Sequence, residues 1–556
     1  MKRRVYDYWV YYVGMVLKSM RRIVLIVFLF LPSVLLAQLL DRETARSAAA
    51  QAQKLSQFYR LLAGHYVDTL DYGSVVEQGI RSMLSQLDPH SAYLTAEEVE
   101  DARQSFDGSF GGIGVEFNIL GDTIIVVSTI AGGPAESVGI RAGDRITGVD
   151  GRSAIGTKRV DVPKLLRGPK GSRVKLEVVR KGASGVLYFE VVRGDIPIST
   201  VDAAYMAADG VGYIKVNRFG SNTVAEFTEA FERIGSPSAL ILDLRGNGGG
   251  LLDQAIGLSE FFLKKGEQIV STEGNIVAPT VAYARRDGAF DGPLAILMDE
   301  TSASGSEIVA GAVQDWDRGV IVGRPSFGKG LVQRQFVLLD GSAVRLTTAR
   351  YHTPTGRVIQ RPFEKGRKDE YYRAYAERFT VMHDSVAGDA PQYRTLVSSR
   401  PVYGGGGIYP DVYVERDTSR YTQYGAELVM SGSINDFVIN YMDSARAGLA
   451  ARYPDFESFE NDFVVDDTML KGLADIAAAK GIEYDEDQMA VSAPDLRVQI
   501  KGLVAQKLWD VNEYYRVVNG SGADPVFDAA VECIGMMPEG RITSRTVDEM
   551  NARVQK

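Results

Sequence analysis

Ala239-Leu240-Ile241-Leu242-Asp243-Leu244-Arg245-Gly246-Asn247-Gly248-Gly249-Gly250 is an apolar run that ends in a glycine turn and leads into the helix-like segment Leu251–Phe262. Working outward, the strand-like Val211–Val216 and helix-like Val224–Ile234 precede it. Leu294–Met298, helix-like Ser306–Val313 and Val320–Val322 follow. Strands alternating with helical periods predict an α/β domain with a largely parallel sheet. A strand that ends in glycines before a helix presents backbone N–H groups to an anion, either a phosphate or a developing oxyanion. The dinucleotide pattern G-x-G-x-x-G is not met, because counting from Gly246 its third glycine falls on Leu251.

The regions on either side have other textures. Residues 45–104 recur at helical spacing through Leu55, Phe58, Leu61 and Leu62, then Val76, Ile80, Met83 and Leu87. Two amphipathic helices are predicted there, the second ending at Leu87-Asp88-Pro89-His90-Ser91, since Pro89 lacks a donor and turns the preceding residue out of the helical region. From Phe110 short β-like runs punctuated by glycine take over: Ile113–Phe117, Thr123–Val127, Arg145–Val149, Arg173–Val179 and Leu187–Val192. Residues 420–556 return to helical spacing, with Val498, Leu503, Leu508 and Val511 as one stripe. At the start, basic residues such as Arg3, Arg4, Arg21 and Arg22 precede the apolar run Ile23–Ala37. This reads as an export signal with Ala37 at the cleavage point; extended through Leu40, the same run reads as an uncleaved anchor.

Composition removes several function classes. A chain of 556 residues has room for roughly three or four domains. Its net charge of −9 gives no global attraction to nucleic acid or to an anionic membrane. The single cysteine, Cys533, can form neither an intramolecular disulfide nor a Cys-rich zinc site. The four histidines, His65, His90, His352 and His383, are scattered without an HExxH pair. Neither metal nor cofactor is implied.

Three further clusters carry chemistry. Gly111-Gly112-Ile113-Gly114-Val115 either forms a tight turn or points consecutive N–H groups into one concavity that holds a carboxylate. In Thr301-Ser302-Ala303-Ser304-Gly305-Ser306-Glu307, Ser304 and Glu307 form the S-x-x-E capping box of a helix. The same serine at a helix N-terminus is also a candidate nucleophile. Gly323-Arg324-Pro325-Ser326-Phe327-Gly328-Lys329-Gly330 is most of a Walker A loop, but Gly330 stands where Ser or Thr should bind magnesium, and Leu331–Val337 alternates like a strand where a helix should follow. Lys329 is either a solvated surface charge or, with burial lowering its pKa, a general base for Ser304.

Two resemblances sharpen this reading. The Gly111–Val115 segment, Gly133-Pro134-Ala135, Gly139–Ile146 and Val149-Asp150-Gly151 together resemble a PDZ domain over residues 106–195. That module, the Ser304 and Lys329 clusters, the Asp243-Leu244-Arg245 glycine turn and Leu87–Ser91, in that order, resemble the carboxyl-terminal processing peptidases, or tail-specific proteases.

The resemblance implies a multidomain α/β chain with a ClpP/crotonase-like protease core. Its parts would be a leader at 1–37, a helical segment at 45–104, an inserted PDZ domain at 106–195, the core at 196–415 and a helical domain of unknown role at 420–556. It places the nucleophile on Ser304, the base on Lys329 and a lysine-orienting glutamine on Gln333, whose reach back to Lys329 requires a bend that Gly328 and Gly330 allow. Oxyanion donors would be N–H groups of Gly305, Gly248 and Gly249. Gly305 stands where the family more often has alanine, and Gly248 where proline is frequent, each adding backbone freedom. Asp315 and Glu307 read as cap or surface groups, and Arg167 either as a surface charge or as a link from the PDZ module to the site.

The expected protein is a periplasmic or otherwise extracytoplasmic serine endopeptidase, soluble or anchored by residues 23–40. Its partners would be polypeptides with a free C-terminus, bound at Gly111, Gly112, Ile113, Gly114 and Val115, and a second copy of the chain docking through the C-terminal region. The alternatives are an inactive PDZ scaffold and, more remotely, a nucleotide enzyme.

Overall fold

Strands Val201–Ala208, Val211–Val216, Ala239–Asp243, Leu294–Met298, Val320–Gly323 and Val412–Tyr413 lie side by side in that order; the first pair is antiparallel and the remaining pairs are parallel. In this computed structural model residues 44, 46–130, 132–379, 390–537 and 542–554 are described. The leader and His383 lie outside them. Every residue of the three central strands is buried, as a parallel sheet covered on both faces requires. Helices Thr223–Arg233, Leu252–Glu260 and Gly305–Asp315 connect successive parallel strands. They bury Phe227, Leu258, Ile308 and Val309 against Ile214, Leu242, Ile296 and Ile321.

The opposite face, with Tyr213, Ile241, Leu297 and Val322, is covered by Phe527, Ala530, Cys533 and Met550. These come from helices Pro525–Met536 and Ser544–Val554. The C-terminal region is therefore not one domain over 420–556. Helices Gln423–Met430, Ser433–Arg452, Phe456–Asp462, Asp467–Ala479 and Glu486–Leu508 form a bundle around Phe437, Phe459, Leu473 and Ile500. Helix Val511–Gly520 packs Val517 into the same bundle, and the two helices after it complete the α/β layer. Val511 leaves the expected stripe because the long helix ends at Leu508 and a new one opens at Val511.

Residues up to Ser82 form one unit and those from Met83 another. The first holds a helix over 46–65 and most of Tyr72–Ser85, with Leu55, Phe58 and Leu61 exposed. Downstream, the expected helical texture is interrupted by the strand Ala92–Leu94, after which Thr95 caps a further helix, Ala96–Asp107. Ala92–Leu94 pairs with the long strand Ala343–His352, which also pairs with Leu331–Val337 and Gln268–Glu273.

The β-rich insertion is an antiparallel sheet in the order Val115–Leu120, Thr123–Thr129, Arg145–Val149, Arg173–Val179, Val186–Val192. Its entering and leaving segments, Ser109–Gly112 and Gly194–Pro197, pair with each other. The bundle docks on the sheet's outer face: Lys507 Nζ lies 2.8 Å from Glu116 and Asn118 donates to Asp436 at 3.3 Å. Arg145 lies 3.6 Å from Asp443.

Buried ion pairs pin the loops below the core. Arg400 bonds Asp317 at 2.7 Å and Asp411 at 2.5 Å; Arg357 bonds Asp315 at 2.5 Å, so Asp315 is an interior group and not a surface one. Arg400→Met strips two buried carboxylates of their shared cation and is expected to destabilise the core by about 3–5 kcal/mol. A fall in the urea midpoint measures this; an unchanged midpoint would show that the pair constrains nothing.

Candidate active site

Strand Leu294–Met298 ends at Asp299, whose carboxylate accepts the N–H groups of Thr301 and Ser302 and curls the chain toward the helix Gly305–Asp315. Ser304 sits at the junction with φ 54° and ψ −108°, a conformation strained for any residue with a Cβ. Its two neighbours are committed. Ser302 Oγ donates to Leu244 O and Ser306 Oγ to Asn247 O, each at 2.9 Å, and both are fully buried. Of the three serines in the cluster, Ser304 lines the cavity.

The glycine turn presses on this serine. Gly249 has φ +95°, and a Cβ on it would lie 2.7 Å from Ser304 Cβ; one on Gly250, at φ +150°, would lie 2.1 Å from Phe219 O. Only glycine fits either place. Gly305 has ordinary helical backbone, and a Cβ there would come within 2.9 Å of the Phe219 ring. Glycine at 305 therefore makes room for an aromatic ring instead of loosening the turn, and Gly248 likewise keeps a negative φ. Gly249 drops out as an oxyanion donor, because its N–H already donates to Asn247 Oδ1 at 2.8 Å. The Gly248 and Gly305 N–H groups donate to no described residue.

Glu307, expected as a cap or surface group, is fully buried and joins two turns. Its carboxylate accepts Ser304 N–H at 2.7 Å, Ser326 Oγ–H at 2.6 Å, Gly328 N–H at 2.7 Å and Lys329 N–H at 3.0 Å. Burial raises its pKa and these donors oppose the rise; the net shift is upward. Tyr351, which the sequence reading did not single out, joins the same turns from the other side, its hydroxyl 2.5 Å from Lys329 O and 3.2 Å from Ser304 O.

Lys329 lies in a turn followed by strand Leu331–Val337, so no phosphate-loop helix exists. Burial and the charge of Arg345 lower its pKa, while Glu307 and Asp88 pull the other way; the net direction is down. A register shift between Val332 and Gln333 supplies the bend. Gln333, however, donates to His90 O at 2.7 Å and makes no hydrogen bond to Lys329. His90 itself belongs to a turn fixed by Asp88, which accepts from His90 N–H, Ser91 N–H and Oγ, and Thr347 Oγ1. Ser304, Gly305, Gly248, Gly249, Lys329 and Gln333 all line one cavity of 510 Å³.

At the inserted module, Gly111 and Gly112 belong to the strand pair that ties its ends together, not to an open concavity. Gly111 is held so close that a Cβ would sit 2.1 Å from Gly168 O. Ile113 is a buried core residue, but its N–H and that of Gly114 donate to no described residue, and Val115 opens the edge strand of the sheet. Arg167 is exposed, with its guanidinium 4.2 Å from the Phe110 ring in the tying strand.

Family models match this architecture piece by piece: peptidase family S41 over residues 210–366, a PDZ domain over 125–180, and a family of unknown function over 424–510. The carboxy-terminal-processing protease of Bartonella bacilliformis is 37% identical over 342 residues, 60% of this chain and 78% of that one. The carboxy-terminal processing protease CtpA of Bacillus subtilis is 33% identical over 328 residues, 58% of this chain and 70% of that one. Among solved structures, the photosystem II D1 C-terminal processing protease is 27% identical with a TM-score of 0.35, covering 66% of this chain and 87% of that one. The PDZ domain of the Vibrio cholerae carboxy-terminal protease, solved in complex with peptide, is 38% identical with a TM-score of 0.16, covering 16% of this chain and 99% of that one. The chain belongs to peptidase family S41, and it is a carboxy-terminal-processing serine protease that carries a PDZ domain.

Proposed function

We propose that this protease is an exported Ser–Lys endopeptidase acting on polypeptide tails. What carries the reading is the meeting of Ser304, Lys329 and the unbonded N–H groups of Gly248 and Gly305 around one cavity. The Lys329 amine takes the Ser304 proton as Oγ attacks the substrate carbonyl. The tetrahedral oxyanion is held by the Gly305 and Gly248 N–H groups at the helix N-terminus. The Lys329 ammonium then protonates the leaving amine, and an acyl-serine ester remains. Water, losing its proton to the same amine, hydrolyses the ester and restores Ser304. Gln333 acts as a brace between its strand and the His90 turn. The PDZ edge strand Val115–Leu120 adds an extended tail, and the Ile113 and Gly114 N–H groups take its terminal carboxylate. The basic and apolar leader supports a site of action outside the cytoplasm, with residues 23–40 as its anchor if they are retained.

Three outcomes test this. Ser304→Ala and Lys329→Ala are each expected to slow cleavage of an unfolded protein with an apolar C-terminus by at least about 10⁴-fold. Full activity in either variant would overturn the dyad and favour an inactive scaffold whose cleavage comes from a contaminant.

Since the lysine must be neutral to act and its pKa is lowered, kcat/KM should rise with pH to a midpoint below the ordinary lysine value of 10.5. A midpoint at or above that value contradicts the buried-base assignment. Glu307→Gln replaces one acceptor oxygen by an NH₂ facing N–H donors, and Gly249→Ala pushes the Ser304 turn aside. Each should cost on the order of 10²-fold in kcat/KM, with the circular dichroism spectrum retained.

A further inference from the structure

Among the described residues, the cavity that holds Ser304 and Lys329 is lined by two cations, Lys329 and Arg345, and by no carboxylate. Nearby carboxylates are occupied: Glu307 accepts four hydrogen bonds and Asp88 another four. The half-buried Arg345 guanidinium makes no hydrogen bond or ion pair with any described residue. The other arginines withdrawn into the core are each engaged: Arg245, Arg324, Arg357 and Arg400 pair with carboxylates, Arg318 and Arg378 donate to main-chain carbonyls, and Arg361 lies over the rings of Phe327, Tyr371 and Tyr375. A guanidinium partly withdrawn from water without an anion loses hydration and gains nothing in return.

Its placement says what is missing. Arg345 stands on strand Ala343–His352 directly opposite Gln335, and Gln335 and Gln333, two residues apart on the neighbouring strand, line the same cavity. The three side chains make a polar strip leading away from Lys329 along the cavity wall. The planar fork of an arginine matches a carboxylate in two-point contact, which gives orientation as well as charge recognition.

We propose that Arg345 is a specificity-determining residue that binds a substrate carboxylate flanking the scissile bond. The carboxylate comes from an Asp or Glu side chain or from the terminus of a short tail. The proposal rests on Ser304 and Lys329 being the reacting pair. It adds a second point of recognition to the PDZ groove: the groove selects the tail, and Arg345 sets which bond enters the cavity. The proximity of Arg345 to Lys329 is consistent with this, since its charge is one of the causes that lower the lysine's pKa.

The test is a set of peptides sharing one apolar tail, in which a Glu is walked across the positions on both sides of the cleaved bond, each matched to a Gln peptide and to a C-terminally amidated copy. For the wild type, Glu at one or two positions should raise kcat/KM by about tenfold over Gln. Arg345→Gln should abolish that ratio, and Arg345→Glu should invert it in favour of Lys at the same positions. If amidation of a short tail, and not Glu-to-Gln replacement, lowers kcat/KM in the wild type and the loss is absent in Arg345→Gln, the terminal carboxylate is the group bound at Arg345. Either pattern supports the assignment. Without a Glu-to-Gln effect, an amidation loss equal in wild type and Arg345→Gln belongs to the PDZ groove and overturns the assignment.

Equal ratios in the wild type and in both Arg345 variants overturn it. Should those variants fold poorly, binding of the Glu and Gln peptides to Ser304→Ala protein gives the same comparison, and equal affinities overturn the assignment there. A Ser304→Ala enzyme that cleaves as fast as the wild type removes the Ser304 reading and this inference with it. A Ser304-dependent enzyme with an unchanged profile removes this inference alone.

Discussion

The Glu307 carboxylate is the constraint on which the site depends. A buried carboxylate with no partner is costly, and here four donors drawn from two separate turns satisfy it. Because two oxygens serve both the N–H of Ser304 and the N–H groups of Gly328 and Lys329, neither turn moves without exposing the charge. Tyr351 repeats the tie through the carbonyls of Ser304 and Lys329. The strain at Ser304 is tolerated because both ties hold it, and Gly249 closes the remaining side.

The lysine is tuned by position more than by any single contact. Burial and Arg345 disfavour its ammonium form, and Glu307 and Asp88 temper that effect. The balance keeps a base available without a histidine. His90, although near, is held neutral by burial and by the Lys329 charge, with a pKa lowered to about 4. It contributes its main-chain carbonyl to Gln333 and its ring to the aromatic packing of Phe327 and Tyr371. Cys533 is similarly inert as a nucleophile, buried under the sheet with its thiol pushed up to about 12 by desolvation first and by Glu532 and Asp411 next.

Much of this was legible in the sequence where chemistry and local backbone coincide. Ser304, Lys329 and the glycine turn lie in short motifs whose residue types have few other uses together, and the α/β alternation marked every central strand. The failures were long-range. An S-x-x-E pair has a complete local explanation as a cap, so nothing in the spacing reveals that Glu307 also receives Ser326, Gly328 and Lys329 from across the site. Gly305 read as looseness because the Phe219 ring beside it is remote in sequence. The final helices share their periodicity with a docking domain; that their apolar faces meet Tyr213, Ile241 and Leu297 depends on the chain returning to its own sheet. Gln333 followed the family pattern, but its hydrogen bond goes to a turn more than two hundred residues earlier.

The strand pair at the base of the PDZ domain has a further consequence. Ser109–Gly112 and Gly194–Pro197 run antiparallel, with Gly112 opposite Gly194, so the chain leaves the core and returns to it at neighbouring points about 5 Å apart. A gap of that size is one that a two-residue hairpin closes. The peptidase layer is therefore topologically complete without the module it carries. Recognition enters the chain at one covalent joint, so a different reader of polypeptides can be exchanged in or lost without rerouting any strand of the reacting core, and only the side-chain contacts of Glu116, Asn118 and Arg145 with the helical bundle would have to be replaced.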